Sequence, residues 1–311
     1  MRRTAFLLAT LAAVALLSPA CGFNAGDVAV GDCFKTGAAA AFSWDAEVSC
    51  DEPHTVEVFA VSDVSRVSPT LGQYSRAELQ DDNSPARQQY LALVSGFCER
   101  EWSEYTGFGD LGSSLVPDAV VLPAVYGHMA LEAVPAAEWD GGKKAVICYQ
   151  VFGHPGTGDE QATEVSHQVL RELGRVGGDV PPQVRDCATS LADGKGEQRV
   201  SCGEPHDREY LGHLDLAQFR DIVPGLDQAF LDSFDSTTAS DEDWALLDGV
   251  CRQIFPPLLG GDREDIKFLA QIYTDEDSWG WADKGSYHAA CFARPDRQVT
   301  RSLVGIGDGQ F

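Results

Sequence analysis

Apolar and polar positions along the chain follow two rhythms, and both rhythms occur twice. Residues 54–61, HTVEVFAV, carry apolar side chains at alternate positions and predict a strand. Residues 207–216, DREYLGHLDL, hold the corresponding place later in the chain with a less regular alternation. Residues 84–102 change to a helical period. Ser84 can cap, Pro85 suits the first turn, and Tyr90, Leu93, Val94 and Phe97 form an apolar stripe. Residues 241–255 repeat that helical pattern and meet Pro256 and Pro257, which predict its end. Further strands are predicted over 128–134 and 266–273, with closing strands over 144–152 and 286–293. Each half reads as strands, a helix, then strands. The predicted class is α+β: two tandem similar domains, each a mainly antiparallel sheet with a packed helix.

The repetition is also literal. VSCDEPH stands at 48–54 and VSCGEPH at 200–206, and the two differ at a single position. An Asp–Cys pair precedes each, in VGDCF (30–34) and VRDCA (184–188). LVSGFCEREWSEYTG (93–107) lies in register with LLDGVCRQIFPPLLG (246–260). The two stretches share the Cys, a preceding Gly (Gly96, Gly249), an aromatic (Trp102, Phe255) and a closing Gly (Gly107, Gly260). A polar turn containing Trp then leads to the last cysteine of each half, in EWDGGKKAVICY (138–149) and GWADKGSYHAACF (280–292). Self-similarity at this length reads as a duplicated domain, with copies over 30–152 and 184–311. Residues 153–183, rich in Gly and polar positions, are expected to be a linker with a short central helix.

The sequence holds nine cysteines. Eight fall four to a copy: Cys33, Cys50, Cys98 and Cys148, then Cys187, Cys202, Cys251 and Cys291. An even set in an exported chain reads as disulfides. Four cysteines allow three pairings. The expected one joins first to second and third to fourth: the first pair flanks two neighbouring strands, and the third lies on a helix above the fourth. The remaining Cys21 follows an export signal. Arg2 and Arg3 open the chain, residues 5–17 are apolar, and SPA precedes the cysteine. That apolar run is shorter than the about 20 residues a membrane-spanning helix needs. Residues 1–20 are therefore expected to be a signal peptide, Cys21 a lipidated N-terminus and residues 21–29 a tether. Lipidation would hold the protein on the outer face of the cell membrane. Cleavage after Ala20 by ordinary signal peptidase would instead release a secreted protein with a free thiol.

The four-cysteine order, the GDCF start, the VSCxEPH heptad and the closing Trp, Gly and Cys resemble the septum-formation domain family of actinobacterial envelope proteins. The resemblance covers nearly the whole chain beyond the signal, as two tandem copies. It is closer in the first copy, because the second has RDCA in place of GDCF. It implies a link to cell division or wall synthesis, with a protein or a glycan as partner, and it brings no catalytic residues.

Charge removes one class of partner. The chain carries 23 Lys and Arg against 48 Asp and Glu, a net of −25. A polyanion does not neutralise phosphates, so no nucleic-acid partner is expected. Glu52 with His54, and Glu204 with His206, are candidate binding pairs for a metal or a proton. The competing reading makes each Pro a rigid corner and each imidazole a brace beside a disulfide. One His and one Glu are too few ligands for zinc, so neither a metal nor a cofactor is expected. Trp139 and Trp281 are either a platform for glycan or plugs at the edges of small cores. The acidic runs 241–243 and 275–277 lack the spaced oxygen ligands of a calcium loop and read as solvated surface. There is no nucleophile elbow, His-Glu-x-x-His, Walker loop or Ser-x-x-Lys. The expectation is a non-enzymatic envelope lipoprotein that binds a partner. The alternatives are a small-molecule or metal-binding lipoprotein with His54 and His206 in a cleft between the two domains, and a wall hydrolase with an unrecognised carboxylate pair.

Overall fold

Strands, helices and contacts are described for residues 28–35, 46–153, 162–191, 196–220, 222–272, 287–307 and 309 in the computed structural model of the protein. The expected signal peptide, Cys21 and residues 22–27 of its tether, the 275–277 acidic run and Trp281 lie outside these residues, while Val28, at the end of the expected tether, is buried in the core. The first half supplies β1 (Cys33–Phe34), β2 (Glu47–Val48), β3 (Val56–Asp63), β4 (Val121–Pro123), β5 (Gly127–Ala133) and β6 (Ala145–Phe152). The second supplies β7 (Cys187–Ser190), β8 (Glu197–Val200), β9 (Arg208–Asp215), β10 (Ile266–Ile272) and β11 (His288–Pro295). One sheet has the order β2-β1-β3-β6-β5, and the other β10-β11-β9-β7-β8 with β4 added to β9. Every strand pairing is antiparallel. The helices are α1 (Val64–Val67), α2 (Arg76–Gln80), α3 (Pro85–Tyr105), α4 (Gly109–Ser113), α5 (Ala136–Asp140), α6 (Gln228–Ser233), α7 (Asp241–Ile254) and α8 (Pro256–Leu259). The result is α+β, with two sheet-dominated halves.

The long helices start where their caps stand. The Ser84 hydroxyl accepts from Ala86 N at 3.1 Å, and Pro85 occupies the first turn of α3. Ser240 and Asp243 form a reciprocal capping box on α7. The buried stripe of α3 is Ala86, Tyr90, Val94, Cys98 and Trp102, a four-residue period. This corrects the stripe expected from sequence: Leu93 is 38% exposed, and Phe97 is half-buried. The Cys98–Cys148 bridge decides the rotation, since it sets the Cys98 edge of the helix against β6. Burying each large side chain of that stripe contributes roughly 1.5–3 kcal/mol.

Four disulfides staple the halves in matching order: Cys33–Cys50 and Cys98–Cys148, then Cys187–Cys202 and Cys251–Cys291. The sheets also share an irregularity. In β3 the register passes from Val58↔Tyr149 to Ala60↔Cys148, leaving Phe59 as an extra residue. In β9 it passes from Tyr210↔Phe292 to Gly212↔Cys291, leaving Leu211. Both are bulges beside the second bridge.

The halves do not part at a clean boundary. Residues 121–133 run as one extended segment that serves both sheets. β4 pairs with β9, Tyr126 N donates to Val184 O at 2.8 Å, and β5 then pairs with β6. Gly127 makes the crossing: its φ is +125°, and a Cβ there would stand 2.0 Å from Val151 O. Residues 162–174, expected as linker, pack back on the first half. His54 and Val165 exchange backbone hydrogen bonds at 2.8 Å, and Gly174 N reaches Thr106 O at 3.0 Å. Residues 299–307 do the same in the second half, through His206 with Val299 and Gly307 N with Leu259 O. One buried apolar cluster runs through both halves.

Candidate functional site

Each Cys-x-Glu-Pro-His run folds as a tight turn. Glu52 N donates to Ser49 O at 2.8 Å, and Glu204 N to Ser201 O at 2.9 Å. The proline then directs the histidine backbone into its bridge with Val165 or Val299. Both imidazoles are fully buried. Nδ1 of His54 lies 2.9 Å from Glu52 O, and Nδ1 of His206 lies 2.8 Å from Glu204 O. Glu52 and Glu204 thus meet the histidines through backbone carbonyls, and their carboxylates make no bond to the rings.

The carboxylates that matter at these corners belong to Glu57 and Glu209. Glu57 Oε1 is 3.3 Å from His54 Nε2 and 2.7 Å from Val169 N, and Oε2 takes Leu170 N at 3.1 Å. Glu209 accepts from Ser302 Oγ at 2.7 Å and Leu303 N at 2.5 Å. Each buried acid therefore pins the segment that closes its own half. An acid inside an apolar strand, as in VEVF, was the available signal, because an acid is rarely buried without dedicated partners.

Trp139 is fully buried on α5, and its Nε1 donates to Tyr74 O at 2.9 Å. Its ring plugs the core edge and offers no face to a glycan.

The sheet faces turned away from α3 and α7 differ sharply. Cys148 and Cys291 face the helices, so their neighbours in sequence face away. In the first half β3 and β6 place Val56, Val58, Val61, Ile147, Tyr149 and Val151 on that far face, and β5 adds His128, Ala130 and Glu132 at its edge. In the second half the matching positions are Arg208, Tyr210, His213, Ala290, Phe292 and Arg294. Asp186 and β8 complete a charged network there. Arg199 Nη1 binds Asp186 at 2.5 Å, Arg208 Nη1 binds Glu197 at 2.6 Å, and Tyr210 Oη donates to Glu197 at 3.0 Å. The Arg199 guanidinium lies 4.0 Å from the Tyr210 ring centre. Burial raises the Asp186 carboxyl to about 6 although Arg199 pulls it down. Burial lowers His213 to about 4, and Arg199 and His288 add to the effect.

A cleft of about 650 Å³ opens at the seam, where the C-terminus of α3 meets residues 171–175 and the start of α8. Glu104, Tyr105, Asp110, Arg171, Arg175 and Pro257 are among its walls. Arg171 stacks on Tyr105, with 4.9 Å from guanidinium to ring centre. The two histidines expected in such a cleft are absent from its lining. Sequence reading missed the cleft because its walls come from four separate stretches of chain.

No curated protein and no solved structure matches the chain. A family model described as septum formation matches residues 30–291, a single span that includes all four bridges and both sheets except the end of β11. With so much of its length inside that match, the chain belongs to the septum formation family.

Proposed function

We propose that this is a non-enzymatic, exported envelope lipoprotein, anchored through Cys21, that binds a protein or glycan partner in cell division or wall synthesis. In this reading the chain carries two tandem copies of one domain. The shared bulge, bridge order and histidine corners support the duplication. One observation carries the binding role. The side chains best suited to acid–base chemistry are committed to holding the fold: Glu57 and Glu209 to closing segments, Glu197 and Asp186 to arginines. The partner engages the seam cleft, where charges of both signs and the Arg171–Tyr105 stack suit a sugar or a polar peptide group.

The test is imaging in the native host, with a C-terminal tag and an intact signal and Cys21. Septal enrichment that is lost in Asp110→Ala/Arg171→Ala supports the reading. An even peripheral signal, unchanged by those substitutions, would remove it. A second reading, a small-molecule binder, rests on the same cleft. A thermal-shift screen of the purified protein separates the two, because a dissolved ligand raises Tm without any partner.

A further inference from the structure

The two histidine corners share residue types but not bonding. Around His54 the ring is satisfied on both sides, by Glu52 O and by Glu57 Oε1. Around His206 only Nδ1 has a partner, the Glu204 carbonyl, while Nε2 is buried without one. A buried ring nitrogen left unpaired costs free energy, and most such atoms in folded proteins find a partner. The bond from Nδ1 to a carbonyl also fixes the proton on that nitrogen. Nε2 then keeps a free lone pair, the usual state of a metal-ligating imidazole held by a backbone carbonyl.

Three further donor groups surround that lone pair. One ligand atom each from Cys187, Cys202, His206 and Glu209 lies within 4.8 Å of the others. All four residues are fully buried. Two sulfurs, one imidazole and one carboxylate make a tetrahedral set suited to zinc, provided the sulfurs are thiolates. In the structure they form the Cys187–Cys202 disulfide, which offers no thiolate. Among the described residues the first half brings no such group together.

We propose that the second corner has two alternative closures: the Cys187–Cys202 disulfide when oxidised, and a Zn²⁺ held by Cys187, Cys202, His206 and Glu209 when reduced. The conversion needs a dithiol reductant. One of its thiolates attacks a sulfur of the bridge, giving a mixed disulfide and releasing one cysteine. Its second thiol closes its own disulfide and releases the other cysteine, so two electrons pass to the protein. Zinc then binds as the two thiol protons leave to solvent. Either closure ties β7 to the turn before His206, so the corner keeps its shape in both states.

The experiment uses the full chain, reduced with dithiothreitol, freed of reductant under nitrogen, and titrated with Co²⁺ and Zn²⁺. Expected is one ion per chain, a thiolate-to-cobalt absorption band, and a higher Tm with zinc. His206→Ala is expected to weaken binding about 100-fold. His54→Ala is expected to leave it within about 3-fold, and Cys187→Ala/Cys202→Ala to abolish it. A cobalt band that survives in the double-cysteine variant overturns the proposal, since the ion then sits on other thiols, and so does wild-type affinity in His206→Ala. So does a reduced wild-type chain whose Tm zinc leaves unchanged.

Discussion

The two sheets have one strand order, one bulge and one pattern of bridges, yet their far faces are chemically unlike. Positions filled by Val58, Val61 and Tyr149 in the first sheet hold Tyr210, His213 and Phe292 in the second. The first face is apolar along β3 and β6, with His128 and Glu132 only on its edge strand β5. The second carries an Asp–Arg–Tyr–Glu network. The helix-facing sides, in contrast, keep the same disulfide and large apolar neighbours. The lesson is that two halves can share a stapled scaffold while their far faces differ. The reason is physical: a strand alternates faces, so one can change while the other continues to pack.

The strongest way to break the comparison is to remove the helix-to-sheet bridges one at a time. Cys98→Ala/Cys148→Ala and Cys251→Ala/Cys291→Ala should each cost about 2–5 kcal/mol in denaturant unfolding. The sequence separations are 50 and 40 residues, and loop entropy separates the two by only about 0.2 kcal/mol. A much larger gap would mean that the halves do not share one stabilising plan.

Gly212 sharpens the contrast. Its counterpart is Ala60, which carries a methyl where, among the described residues, no strand takes the place of β4. A Cβ on Gly212 would stand 2.5 Å from Leu122 O and 3.0 Å from the Phe255 ring. Gly212→Ala should cost about 1–3 kcal/mol, and hydrogen exchange should report loosened β4 amides. Ala60→Gly should cost no more than about 1 kcal/mol.

The charged face should also reveal itself by pH. Asp186 titrates near 6 in the folded protein against an ordinary 3.8, so it binds protons more tightly when folded. Its contribution to stability therefore falls as pH rises from about 4 to about 6. His213 titrates near 4 against 6.5, so it resists protonation when folded, and its contribution falls as pH drops across nearly the same window. In the wild type the two slopes oppose each other. Asp186→Asn should leave stability rising with pH between 4 and 6.5, and His213→Asn should leave it falling, each by at most about 3 kcal/mol. Urea midpoints at several pH values check the signs. Val61→Asn, at the place matching His213, should add no slope.

The smallest effect is expected at Lys35–Glu164, 2.9 Å apart with both side chains about half exposed. Glu164→Gln should change stability by no more than about 0.5 kcal/mol. Melting in low and high salt would check it.

Much of the fold was legible because its signals are local. Ser84 and Pro85 mark the start of α3, Ser240 and Asp243 that of α7, and alternation marks β3. Other features were not. Residues 153–183 look like a linker by composition, but Val165, Val169 and Leu170 are buried because the His54 backbone and Glu57 give their amides partners. VLP at 121–123 is too short to announce a strand, and its partner β9 is about 90 residues away.

By itself, then, the sequence determined the local elements, the matched cysteines and histidine corners, and the acidic charge, since each depends on residues close in the chain. Only the tertiary structure decided which carboxylate meets each histidine, which sheet receives β4, which face became charged and where the cleft opens. Those outcomes depend on groups far apart in sequence. They are settled by the need to pair most buried polar atoms and to close apolar gaps at the same time.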